Sequence, residues 1–169
     1  MKEAKNYGMK KIEKMKKWAT HLVYTDGAAC PQTMAYGTGY HMTDRKDEMI
    51  DEKGEMGSSL GSSFEAETEA ITRAIDRIMD EKKKVTDGLQ NQSKNEWEKM
   101  KKVVILTDSQ SVLQATASPP AWPHWGIQTL RQKLWKANQK TDFEIKLAWI
   151  PSHVDIPGNE NADQLAETG

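Results

Sequence analysis

Apolar positions recur along this 169-residue chain in short blocks, each with its own period. Val103 to Leu106 form an unalternated run that suits a strand covered on both faces, and it stops on Thr107 and Asp108. Ser109 can cap a helix from Gln110 to Ala117, ended by Pro119-Pro120. Upstream, Trp18 to Thr25 predicts a first strand with Leu22, Val23 and Tyr24 as its apolar stretch, ending on Asp26-Gly27. Tyr36 to Met42 can pair back on it as a hairpin, its glycines tolerated at bends or edges, and a short exposed third strand is expected around Glu48 to Ile50. From Ser62 the period changes. Phe64, Ile71, Ile75 and Ile78 recur at helical spacing, and Ser62 with Glu65 makes a capping box.

Further on, Ile127, Leu130, Leu134 and Trp135 predict a helix through about Asn138, and Phe143, Ile145, Leu147 and Trp149 alternate in a last strand from Phe143 to Ile150. A loop at Pro151-Ser152-His153, closed by Pro157-Gly158, leads into a helix from about Asn159 that turns Ala162, Leu165 and Ala166 toward the protein. Two segments stand apart. Residues 1–17 carry seven lysines with Met9, Ile12 and Met15 as a weak helical stripe, and read as a lysine-rich tail or linker ahead of one domain over residues 18–169. Residues 80–102 mix both charge signs with almost no apolar content and read as a charged insertion, broken at Thr86-Asp87-Gly88.

Composition narrows the class. Lys and Arg number 24 against 25 Asp and Glu, so net charge neither announces nor excludes a polyanionic partner. Cys30 is the only cysteine, which rules out an internal disulfide and a cysteine-rich zinc site and fits a reducing compartment. No stretch approaches the roughly 18 apolar residues of a membrane span, and no apolar segment follows the lysine-rich start. The expectation is an intracellular protein, cytoplasmic or nuclear, working as a monomer away from membranes. Trp122, His124 and Trp125 could stack on bases or pack against the following helix.

The candidate chemistry lies in four acids. Asp26 and Asp108 stand at strand ends, where open α/β sheets place ligands, although Asp108 taken alone reads more simply as a capping residue. Glu67 falls three residues after Phe64 and four before Ile71, so a helix turns it toward the core side, unless it snorkels from the edge of that face. Asp163 lies in the first turns of the last helix. Four carboxylates brought together without compensation would raise some of their pKa values, so the arrangement makes sense chiefly as an oxygen-only cation site suited to magnesium or manganese.

These residues carry a resemblance. YTDGA, FEAETEAI, LTDSQSVL and WIPSHVDIPGNENADQLA, spread over residues 24–166, resemble in order the four motif blocks of the ribonuclease H family. The closest flavour is that of the ribonuclease H domains of non-LTR retrotransposon reverse transcriptases. The resemblance implies an α/β ribonuclease H-like fold: a five-stranded mixed sheet, its first three strands antiparallel, flanked by helices. It also implies that Asp26, Glu67, Asp108 and Asp163 are catalytic metal ligands for two Mg2+ ions, Mn2+ being possible, and that His153 is a mobile catalytic histidine. Gly27, Ser109 and Asn159 match positions near the substrate backbone. The implied activity is endonucleolytic hydrolysis of the RNA strand of an RNA–DNA hybrid, with a covalently linked reverse transcriptase domain as a partner in the parent protein. The alternatives are a catalytically weak or idle hybrid-binding domain of a retroelement polyprotein, and a DNA-acting nuclease or integrase on the same fold. Ala28 stands where many members have a hydroxyl residue, Asp155 replaces a common glycine, and the path from Pro120 to Phe143 leaves no room for the basic protrusion some members carry.

Overall fold

The unalternated run Val103–Leu106 is buried on both sides, and the reason is visible in its neighbours. Val103 and Ile105 join one core with Val23, Ile71, Ile75 and Leu130, while Val104 and Leu106 join a second with Leu22, Tyr24, Ile150 and Ala162. Successive strand side chains point to opposite faces, so a strand packed above and below needs apolar residues at every position. The computed structural model describes residues 2–88, 94–118 and 124–168. Its elements in chain order are α1 Lys2–Lys16, β1 His21–Ala29, β2 Tyr36–Asp44, β3 Met49–Met56, α2 Ser63–Thr86, α3 Lys94–Lys99, β4 Lys102–Thr107, α4 Gln110–Ala117, α5 Trp125–Ala137, β5 Glu144–Trp149 and α6 Pro157–Thr168.

The five strands form one mixed sheet in the order β3-β2-β1-β4-β5. The β1–β2 and β2–β3 pairs are antiparallel, and β4 lies parallel to both β1 and β5. Helices α2, α4 and α5 cover one face; α6 and α1 contribute to the core on the other. The capping box at Ser62 and the N-cap at Ser109 both form.

Several expectations change. Strand β1 does not end at Asp26-Gly27 but pairs with β2 as far as Ala29, because the hairpin keeps its register from His21↔Asp44 to Ala29↔Tyr36. Strand β3 extends well beyond Glu48 to Ile50. Its polar side chains are those of a sheet edge, and Asp51 accepts from both Tyr40 and Arg77. Residues 1–17 are not a solvated tail: α1 buries Gly8 and Ile12, and Lys11 Nζ donates to the Trp149 carbonyl at 2.6 Å. The Met9, Ile12 and Met15 stripe packs on the second face beside Val104, which α6, lying over β1 to β3, leaves to it. The charged lead-in to β4 hides two anchors, Trp97 and Met100, both buried and both with their carbonyls bonded by Lys82 Nζ. Trp135 projects to solvent, since α5 turns Ile127, Leu130 and Ala137 inward. Pro119-Pro120 and Trp122 lie outside the described residues. Among those described, no helix is long and apolar enough to cross a membrane.

Candidate metal centre

Tyr24 and Leu106 are partners on the parallel strands β1 and β4, and Asp26 and Asp108 each lie two residues beyond that rung. The register alone therefore sets the two carboxylates side by side at one edge of the sheet. Glu67 arrives from α2, and Gly27 makes room for it: a Cβ at Gly27 would lie 2.5 Å from the Ala66 carbonyl carbon and 2.6 Å from the Glu67 nitrogen. Only a residue without a side chain lets the helix start that close to the strand. One carboxylate oxygen from each of Asp26, Glu67 and Asp108 lies within 4.8 Å of the others.

Asp163 stands at the rim of this cluster. It contributes to the rise of the Asp26 carboxyl and adds negative charge near Asp108 without joining the tight trio. Its helix is brought in by another glycine, since a Cβ at Gly39 would meet the Ala162 oxygen at 2.4 Å and the Ala166 nitrogen at 2.6 Å. The strand glycines of β2 are thus required by the approach of α6, a role that alternation along the strand could not reveal.

Burial sets the electrostatics. Asp26 and Glu67 are 5% and 7% exposed, and loss of water raises both carboxyls above their ordinary range. For Asp26, the hydrogen bond and charge of Glu67, then the charge of Asp108, raise it further. For Glu67, the bond from Asp26 and the Gly27 backbone oppose the rise. The two titrate as a coupled pair, both held above the ordinary carboxyl range. Burial raises Asp108 too, while the nearby His153 imidazole and Asn159 amide oppose the rise. Among the described residues none of the four acids has an ion-pair partner within 4.0 Å.

The remaining predicted residues surround the trio. Asn159 is buried, and its Oδ1 has no hydrogen-bond partner among the described residues, leaving one acceptor beside the acids. Ser109 caps α4 through Val112 N at 3.3 Å, and Gly27 N donates to Asp26 Oδ1 at 2.9 Å. His153 is exposed on the loop before α6 with φ 53°, and Asp155 follows at φ 60°, so this loop holds two non-glycine residues in the left-handed region. Sequence reasoning missed the braces: Thr107 Oγ1 accepts from Ser109 N at 3.1 Å, Thr25 Oγ1 donates to the Leu106 carbonyl at 3.1 Å, and Trp149 Nε1 donates to the Asp108 carbonyl at 3.2 Å. The donor set is oxygen-only, crowded and uncompensated, and it fits divalent cations of the magnesium class; Asp26, Glu67 and Asp108 would hold them, with Asp163 within reach.

Comparison with known proteins agrees with this geometry. Ribonuclease HI of Pseudomonas aeruginosa is 34% identical over 74 residues, 38% of this chain and 50% of that protein. Ribonuclease H of Stutzerimonas stutzeri is 35% identical over 77 residues, covering 40% and 51% respectively. The chain spans about half the length of the curated relatives it matches. Among solved structures, RNase H1 from Halobacterium salinarum superposes with a TM-score of 0.58 at 21% identity, over 87% of this chain and 94% of that one. The N-terminal RNase H domain of a Mycobacterium tuberculosis protein superposes with a TM-score of 0.62 at 16% identity, covering 89% and 92%, and these two likenesses establish the fold. The family model for RNase H matches residues 19–169, nearly the whole chain, and the protein therefore belongs to the RNase H family.

Proposed function

We propose that this protein cleaves the RNA strand of RNA–DNA hybrids endonucleolytically with two magnesium ions, manganese serving in their place. The observation that carries the reading is the trio of buried Asp26 and Glu67 with half-buried Asp108, whose oxygens converge within 4.8 Å at one edge of the sheet. Bound there, divalent cations supply an activated water and neutralise charge on the leaving 3′ oxygen. Asp26 and Asp108 are assigned as the ligands shared most closely. Glu67 serves the leaving-group side, near the RNA 2′-hydroxyl that separates RNA from DNA, and Asp163 completes the nucleophile side. His153, exposed on its loop, assists protonation or product departure. Gly27, Ser109 and Asn159 serve the substrate backbone, so sequence preference is weak.

Residues 18–169 are taken as the ribonuclease H domain, and the Trp149 to His153 start of the last block favours a parent protein that also carries a reverse transcriptase domain. The test is cleavage of an end-labelled hybrid beside duplex DNA and single-stranded RNA, in magnesium or EDTA, with wild type and Asp108→Asn. Magnesium-dependent cutting of RNA in the hybrid alone, lost in the variant, is the expected result. Hybrid binding without cutting in magnesium, or with manganese in its place, would assign the chain to a catalytically idle binding domain, and cutting of DNA alone would overturn the substrate.

A further inference from the structure

The lysine-rich helix α1 carries positive charge that the metal centre does not use. Gly8 and Ile12 face the protein, and Tyr7, Lys10, Lys11 and Lys14 border a cleft of 610 Å³ between the helix and strands β4 and β5. Aromatic rings stand at both ends. At one, Lys11 Nζ lies 5.9 Å from the Tyr7 ring centre and 5.7 Å from that of Trp149, with the two rings 6.2 Å apart. At the other, Lys146 and Lys102 approach the Trp18 ring at 4.2 and 5.6 Å.

The cations along α1 are uncompensated. Lys16, Lys84 and Lys133 each have a carboxylate within 3.3 Å. Among the described residues Lys10, Lys11 and Lys14 have none within 4.0 Å, Lys11 donates to a carbonyl instead, and Lys146 meets Glu144 only at 4.0 Å, both exposed.

We propose that this cleft binds single-stranded nucleic acid. A row of unpaired lysines matches an anion that repeats along a chain, and the exposed Tyr7 ring at one end offers a face on which an unpaired base can stack. A duplex hides its base faces, so the aromatic end selects unpaired strands. Position strengthens the match: Trp149, beside Tyr7, donates to the Asp108 carbonyl, so the cleft opens next to the metal centre. On the reading proposed above, an unpaired stretch flanking the hybrid runs from the centre into the cleft.

The test is fluorescence anisotropy of a short labelled oligo-dT with the intact chain in EDTA over a salt series, using wild type, Lys10→Glu/Lys14→Glu and Tyr7→Ala. All three positions are exposed, and unchanged melting temperatures check the fold. The double variant is expected to bind at least about tenfold more weakly, with a salt slope shallower by about 1.4. Tyr7→Ala is expected to lose about fivefold on oligo-dT and nothing on an abasic strand of equal length. Undiminished binding by the double variant, an equal Tyr7→Ala loss on the abasic strand, or equal competition by polyglutamate, which would mark an acidic-peptide site, would each overturn the proposal. Cleavage of a blunt hybrid in magnesium should be unchanged in both variants; an equal fall there would assign the lysines to the duplex and overturn the cleft. Failure of wild type to cut any hybrid while oligo-dT binding stays intact would remove the hybrid reading and leave the cleft standing.

Discussion

The acidic site and the α1 cleft both gather like charges without ion-pair partners, yet they do so in opposite surroundings. Asp26 and Glu67 are almost fully buried, held by the register of β1 against β4 and by the closeness of α2, so their repulsion and lost hydration fall on the fold. Lys10 and Lys14 are exposed, and water and salt screen them at small cost. On the readings proposed above, burial turns a cluster of acids into a rigid, geometrically selective receptor for a small hard cation, whereas exposure turns a row of lysines into an adaptable receptor for a long polyanion.

That contrast can be broken from either side. The largest effect belongs to Asp108→Asn, which should lower hybrid cleavage by about 10³-fold or more while leaving oligo-dT binding in EDTA unchanged. A parallel loss of single-strand binding would show that the two regions are one. Next is Gly27→Ala, whose Cβ has no room against Ala66 and Glu67. It should cost roughly 3 kcal/mol, read as a lower denaturation midpoint, and cleavage should fall with it as α2 is pushed away. A wild-type midpoint would remove Gly27 from the account of how Glu67 reaches the centre.

His153→Ala should reduce kcat by about 10²-fold with little change in KM, because the side chain stands on an exposed loop and shapes no core. A rise in KM alone would make it a binding residue. The smallest effect is the most specific to burial. Asp26 and Glu67 hold protons in the folded state at pH values where the unfolded chain has released them, so the folded state binds more protons and stability falls as pH rises through that window. Metal-free protein should lose about 1–2 kcal/mol between roughly pH 5 and pH 8, magnesium should restore it, and Asp26→Asn should flatten the curve. Thermal unfolding in EDTA across that range tests this, and stability rising with pH would show that the acids are compensated.

Legibility followed the range over which each residue acts. The helix caps at Ser62 and Ser109 and the inward turn of Glu67 are set within one or two helical turns, and the sequence pattern displayed them. The braces did not show. Trp149 lies 41 positions from the Asp108 carbonyl it bonds, and alternation reported only that Trp149 shares a strand face with Leu147. Gly39 looked like a tolerated edge glycine because its requirement comes from α6, more than a hundred residues away. Segment 1–17 was misread because its lysines outweigh three apolar residues in composition, while packing depends on where those three point.

The sequence by itself displayed the five strands and the helices at Ser62, Ser109, Ile127 and Asn159, and put Asp26 and Asp108 at strand ends and Glu67 on an inward helix face. It also carried the motif blocks whose family resemblance implies the mixed sheet, because strand and helix periods and motif blocks are local properties of the chain. Only the tertiary structure decided that Asp26, Glu67 and Asp108 crowd within 4.8 Å with Asp163 at the rim, and that α1 docks beside β5 to form a cleft. Those distances come from how closely a helix can approach a strand lacking a Cβ and from which sheet face remains to be covered. Both are set by the assembled elements, not by any one segment.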